Sequence, residues 1–192
     1  MPYYVRIIGG ELRGRRLRVV TEPPELRPIA DRAREGLFNI LRRWDTERPF
    51  VDVFAGSGSV GIEALSRGAK EVLFVEQHPR LTRLLQEQLQ ELHLEQRGRV
   101  LRADAYRWAK YWVPPSEPVT VFLGPPYADF ARRSKEILGL IRTLQQKLPP
   151  DSVLVVQTDR LYPAQNLPDS QHWDVRCYGR TQICLWHKAE HV

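Results

Sequence analysis

At 192 residues, with 42% hydrophobic and 27% charged side chains, the chain has the size and composition of one globular domain, or of one domain with a small appendage. A chain this long buries about 70% of its unfolded surface and needs neither disulfides nor a metal to hold a core; its two cysteines suit a reducing cytoplasm, and no run approaches the roughly 20 apolar residues of a membrane span. No signal peptide is expected, because no basic stretch precedes a long apolar one at the start, and the net charge of +6 points to an anionic partner.

Much of that charge lies at the beginning. Arg6, Arg13, Arg15, Arg16 and Arg18 stand against the single Glu11 in the first 20 residues. All five are arginine, which forks onto phosphate and stacks on bases better than lysine does, so nucleic acid is expected rather than a merely solvated face. Residues 4–20 read as a short basic hairpin with Gly9-Gly10 and Gly14 at its turns. Residues 21–30, with Pro23, Pro24 and Pro28, read as a loop. A helix follows, with Asp31 as its N-cap and Ala33, Leu37, Phe38, Ile40, Leu41 and Trp44 on one face.

From residue 50 strands and helices alternate. Strands are predicted at 50–54, 71–75, 99–102, 119–123 and 152–157. Helices are predicted at 59–67, along the Leu81–Leu92 stripe and along Ile137, Leu138, Ile141 and Leu144. This pattern implies a parallel sheet covered on both faces. Residues 172–178 and 181–187 flank Gly179-Arg180 and read as an antiparallel hairpin. A parallel sheet finished by such a hairpin is, by fold analogy, the Rossmann-like methyltransferase arrangement. No internal repeat or low-complexity tract is evident.

Gly56, Gly58 and Gly61 fit G-x-G-x-x-G directly after a strand and at the opening of a helix. Dinucleotide oxidoreductases and S-adenosylmethionine enzymes share that spacing. Glu76 ends the next strand, 20 residues after Gly56, where a carboxylate can accept both ribose hydroxyls. Asp104 follows the third strand, within reach of an adenine amino group. Three loops at the ends of three successive strands thus offer a nucleoside pocket. A dehydrogenase would want a further substrate domain, and the basic segment has no role in one. The fourth strand runs into Gly124, Pro125, Pro126 and Tyr127, where two prolines stiffen the backbone carbonyls and an aromatic ring follows that can stack on a base.

The segment Asp52-Val53-Phe54-Ala55-Gly56-Ser57-Gly58, Glu76 and the Pro-Pro-Tyr together resemble the amino-group methyltransferases. Three further segments resemble the RsmD-type guanine-N2 methyltransferases of bacterial small-subunit (16S) ribosomal RNA. They are Arg6 through Arg15 with its Gly9-Gly10-Glu11, then Leu26-Arg27-Pro28 with Asp31-Arg32-Ala33-Arg34-Glu35, and Glu63-Ala64-Leu65-Ser66-Arg67-Gly68. The resemblance covers nearly the whole chain. It implies an α/β, Rossmann-like class I S-adenosylmethionine-dependent methyltransferase with a mostly parallel seven-stranded sheet ending in an antiparallel hairpin. A small basic N-terminal β-hairpin extension for RNA at 1–30 would precede the methyltransferase domain at 31–192. It implies S-adenosylmethionine as donor, S-adenosylhomocysteine as product, no metal, and ribosomal RNA or an assembling small subunit as partner to a cytoplasmic monomer. Asp52, Phe54, Ala55, Gly56, Ser57, Gly58, Gly61, Glu76, Gln77, Asp104 and Ala105 would hold the cofactor. Gly124, Pro125, Pro126 and Tyr127 would form the catalytic loop, and Arg6, Arg13, Arg15, Arg16, Arg27, Arg32 and Arg34 would grip RNA phosphates.

Two positions depart from the family pattern. Ile29-Ala30 stands where the family commonly has Thr-Thr, and Gly124 where it has Asp or Asn before Pro-Pro-Tyr/Phe. The second bears on mechanism. A guanine amine is a poor nucleophile because its lone pair is delocalised into the ring. A side-chain oxygen and a backbone carbonyl, both accepting from its hydrogens, would aim that lone pair and stabilise the charge developing on nitrogen. Gly124 supplies no side-chain oxygen, and a missing hydrogen bond of this kind is worth roughly 10- to 200-fold in rate. The alternative reading is therefore a weak or silent relative that binds RNA or cofactor; a DNA amino-methyltransferase fits the N-terminal segments less well. Asp129, two residues after Tyr127, is the nearest carboxylate in sequence that could reach back in place of a side chain at 124, but it reads rather as a solvated loop acid. The five histidines show no metal-ligand spacing, and neither Ser57 nor Ser59 lies in a Gly-x-Ser-x-Gly elbow.

Overall fold

A computed structural model describes residues 3–20, 29–44 and 46–189. Strands β1 (Tyr3–Arg6) and β2 (Arg16–Val19) pair antiparallel, with Tyr3 opposite Val19. Helix α1 (Asp31–Leu41) follows. Its N-cap is Ala30 rather than the expected Asp31, which sits in the first turn and pairs with Arg34 instead. Then come β3 (Phe50–Val53), α2 (Ser59–Ser66), β4 (Val72–Glu76), α3 (Pro79–Glu91) and β5 (Gly98–Arg102). Next are α4 (Ala105–Tyr111), β6 (Thr120–Leu123), α5 (Asp129–Arg132), α6 (Ser134–Lys147) and β7 (Val153–Asp159). The hairpin of β8 (Trp173–Tyr178) and β9 (Thr181–His187) closes the described chain.

Among the described residues seven strands form one sheet in the order β5-β4-β3-β6-β7-β9-β8. The first five are parallel, and β9 runs antiparallel to both its neighbours. The strand sequences show why. Phe50–Val53 and Thr120–Leu123 are buried at every position, as strands covered on both faces must be. One face packs Phe74, Phe122 and Val155 against α1, α2 and α3, with Ile62, Leu65 and Leu85 between them. The other packs Val53, Val75 and Leu123 against α4 and α6 through Trp108, Ile137 and Ile141. Helix α4 is not evident from the sequence because its apolar stripe is only Ala105, Trp108 and Ala109. Its one readable signal is Asp104, which caps it by accepting from the Arg107 N–H at 2.9 Å.

The N-terminal hairpin is a separate sheet but not a separate core. Val5, Ile7, Leu17 and Val19 are buried in the same apolar cluster as Ala33, Leu37, Ile62 and Leu65. The link to α2 is polar and specific. Glu63, with no exposed surface, accepts the backbone N–H groups of Ile8 and Gly9 at 2.8 Å each. Ser66 Oγ donates to Gly9 O and accepts from Leu12 N. Gly10 makes this close packing possible: at φ 79° it lies so near that an added Cβ would sit 1.7 Å from Ser66 O.

Candidate functional site

Parallel strands deliver their C-terminal ends to one rim of the sheet, and the strand order reverses beside β3, between β3 and β6. Ligand crevices of open α/β sheets form at such a point. Here a cavity of about 230 Å³ opens over those ends.

The glycine loop forms its floor. Phe54 leaves β3 in a left-handed conformation (φ 65°), and the N–H groups of Phe54 and Ala55 both donate to Val75 O. Gly58 (φ 79°) then caps α2, and a Cβ there would meet Leu85 Cδ1 at 2.2 Å, so only glycine lets the loop rest on α3. Gly56 faces open space. Beneath the loop, buried Asp52 accepts the Gly61 N–H at 2.8 Å and so ties strand end to helix start. Burial raises its carboxyl to about 7; the Gly61 hydrogen bond opposes that rise and the nearby Glu76 charge adds to it. Glu76 Oε2 accepts from Gly56 N and Oε1 from His78 N, each at 2.8 Å. A carboxylate oxygen holds more than one acceptor site, so both remain able to take a further donor from the cavity.

Most of the expected cofactor residues line this cavity: Asp52, Phe54, Ala55, Gly56, Ser57, Glu76, Gln77, Asp104 and Ala105. Gly58 and Gly61 act behind the wall. Of the expected catalytic loop, Gly124 and Pro126 line the cavity, whereas Pro125 and Tyr127 do not. The Tyr127 hydroxyl is instead held between β7 and β9, 3.1 Å from Gln157 Nε2 and 3.2 Å from Thr181 Oγ1. A Cβ on Gly124 would approach Phe122 Cε1 to 2.9 Å, so a larger residue requires that ring to shift.

The cavity also uses residues the sequence pattern does not single out. Gln157 ends on the wall at the rim of β7, Phe122 lies below Gly124, and Val20 and Ile29 bring the N-terminal segment to the cleft. Asp129 turns inward rather than to solvent, accepting from the Tyr106 hydroxyl at 2.6 Å. The Tyr106 ring packs edge-on against Phe54 and lies 3.9 Å beneath the Arg133 guanidinium. Burial and the Asp129 bond hold its phenol well above the ordinary range, so it remains a donor. Gln157 was findable, since strand ends line the crevice in this topology; Val20 and Ile29 carry no such signal.

The basic surface divides. Arg6, Arg13, Arg15, Arg16 and Arg32 are exposed, and no ion pair among the described residues engages them. Arg27 lies outside the described residues. Arg34 corrects the expectation from sequence: it has no exposed surface and cannot face phosphates. It donates to Arg6 O and to Asp31 Oδ1, and its Nε stands 3.6 Å from Glu63 Oε2. Burial lowers its pKa, while Glu63 and Asp31 raise it. The signal was available, because Arg34 lies three and seven residues before Leu37 and Leu41 on the buried stripe.

The strand order, the glycine loop and the carboxylate ending the second strand of the main sheet define a Rossmann-like class I S-adenosylmethionine-dependent methyltransferase fold. Residues 5–187 match the family described as Conserved hypothetical protein 95, and the chain belongs to this family, the RsmD type. It is 36% identical to the Ribosomal RNA small subunit methyltransferase D of Haemophilus influenzae, across 83% of this chain and 81% of the relative. It is 32% identical to the Bacillus subtilis protein YlbH, across 96% of this chain and 99% of that one. The solved structure of a hypothetical protein from Thermus thermophilus superposes with a TM-score of 0.76 at 33% identity, covering 95% of this chain and 98% of that one.

Proposed function

We propose that this protein transfers a methyl group from S-adenosylmethionine to the exocyclic N2 of a guanine in small-subunit ribosomal RNA, in the cytoplasm. One observation carries the reading: a single cavity joins the Glu76 carboxylate under an open glycine loop to the Gly124–Pro126 segment. The family supports it, since relatives at 36–38% identity are named ribosomal RNA small subunit methyltransferase D. A fold neighbour from Salinibacter ruber, an RNA methyltransferase, was solved with S-adenosyl-L-homocysteine.

The residues present fit such a cofactor. Gly56 leaves the loop face bare, and Glu76 keeps acceptor capacity toward the cavity for ribose hydroxyls. Asp104 and Ala105 line the part of the wall that suits an adenine ring, and Asp52 lies below, a carboxyl that a cationic ligand would favour in its ionised form. When bound, S-adenosylmethionine supplies a methyl group on a positively charged sulfur. The protein's task is then to hold a guanine amine in line with it and keep water away, and direct displacement needs no metal to help. A backbone carbonyl of the Gly124–Pro126 segment, stiffened by its two prolines, accepts one amine hydrogen. In this reading a base swung out of the RNA enters the cavity, and Tyr127 serves by steadying Gln157 at the wall through its hydroxyl. The exposed arginines Arg6, Arg13, Arg15, Arg16 and Arg32 hold phosphates.

A catalytically silent RNA-binding relative is the second reading, and Gly124 alone favours it. Incubation with labelled cofactor and undermethylated small subunits separates the two. Transfer to RNA supports the enzyme, while cofactor binding by calorimetry without transfer supports the silent relative.

A further inference from the structure

We infer that Gln157 supplies the side-chain acceptor that Gly124 lacks, so that its amide oxygen takes a hydrogen of the target amine. This role rests on the proposed methyl transfer. Strands β6 and β7 are parallel neighbours in register from Thr120 opposite Val153 to Leu123 opposite Val156. The next facing positions are Gly124 and Gln157. Neighbouring strands lie about 4.8 Å apart, and facing residues in register project on the same side of the sheet. Gln157 therefore rises beside the space where a side chain at 124 would stand, and both line the cavity with Phe122 between them and the core.

The amide is oriented. Gln157 Nε2 donates to the Tyr127 hydroxyl at 3.1 Å, and that hydroxyl lies 3.2 Å from Thr181 Oγ1 on β9. With the NH2 end so committed, the opposite end of the same planar group, Oε1, is the acceptor left to the cavity. Gln157 is 9% exposed, so the oxygen is largely screened from bulk water, where a hydrogen bond to a group gaining positive charge counts most. In the step itself the amine lone pair forms the new carbon–nitrogen bond as the carbon–sulfur bond breaks toward sulfur. The methylated amine then gives its proton to solvent as the product leaves the site. Gln157 takes no proton; it aims the lone pair and offsets charge, as a residue at position 124 would otherwise do.

The test compares wild type, Gln157→Ala and Gln157→Glu for methyl transfer to undermethylated subunits, cofactor Kd by calorimetry, and thermal midpoint. The alanine variant should lose roughly 10- to 200-fold in kcat at a temperature where it stays fully folded, while cofactor Kd stays at the wild-type value; a modest fall in midpoint follows from the lost Tyr127 bond. The glutamate variant keeps an acceptor and should retain most of the rate at neutral pH, with an added loss of rate on acidification as its carboxylate protonates. An active wild type indifferent to Gln157→Ala overturns this role alone. A Gln157→Ala variant whose rate falls only in step with cofactor affinity overturns it as well. A wild type that binds cofactor and transfers nothing overturns the proposed activity itself.

Discussion

The guanidinium of Arg34 lies 3.6 Å from the carboxylate of Glu63, and neither side chain has any exposed surface. The two are not equally satisfied. Glu63 also accepts from Ile8 N, Gly9 N and Arg67 Nε, each at 2.8 Å, whereas Arg34 Nε and Nη1 find no hydrogen-bond partner among the described residues. Glu63→Gln should therefore cost about 3–5 kcal/mol, because it leaves buried arginine charge and two backbone donors poorly matched. Arg34→Met should stay within about 1 kcal/mol of wild type, since an apolar chain replaces a charge that is only partly repaid. Urea unfolding of the three proteins checks the order, and an Arg34→Met loss as large as that of Glu63→Gln contradicts it.

The same burial separates Arg34 from the proposed RNA surface. Replacing Arg13, Arg15 or Arg16 with Gln should weaken RNA binding and lower the slope of log K against log salt by about one unit for each arginine–phosphate pair removed. Cofactor Kd should not move. Arg34→Met should leave the salt slope unchanged. Titrations across a salt series read both results.

Asp52 links pH to stability and to binding. Its carboxyl is raised to about 7 in the folded protein from an ordinary value near 3.8. The native state therefore holds an extra proton between those values, and this group's contribution to stability falls as pH rises from about 4 to 7. Asp52→Asn should remove that dependence, so the difference in urea midpoint between variant and wild type changes between pH 5 and pH 8. A cationic ligand above Asp52 favours the ionised form. Wild-type cofactor affinity should then increase from pH 6 to pH 8 and that of Asp52→Asn should not, as calorimetry at the two values would read.

Glu76 holds the loop, with one oxygen on Gly56 N and the other on His78 N. In the proposed complex Glu76→Ala deletes the ribose acceptor and frees both backbone donors at once. Cofactor Kd should rise at least roughly 10- to 150-fold, the worth of one charged hydrogen bond. Glu76→Asp shortens the reach by one methylene and should fall between.

Much of this is legible in the sequence because the patterns are long and locally determined. The short, mostly apolar runs at 50–53 and 120–123, followed by turn-forming glycine and proline, read as strands covered on both faces, and the glycine spacing with Glu76 locates the floor of the cleft without knowledge of the fold. Arg34 departs from expectation because its place on the buried face of α1 outweighs its charge. Asp129 departs for another reason, since its inward position arises from the Tyr106 bond; the place of Gln157 at a strand end is readable, but its orientation by Tyr127, 30 residues away in the chain, is not. Tyr127 shows the converse, since its motif marks a loop at the rim of the cavity but not that its hydroxyl is anchored on Gln157 and Thr181.

The most direct test is to digest small-subunit RNA after reaction with labelled cofactor and identify the labelled nucleoside. N2-methylguanosine, formed by wild type and lost with Glu76→Ala, is the predicted product. Label on any other position, or none despite measured cofactor binding, contradicts the proposed activity.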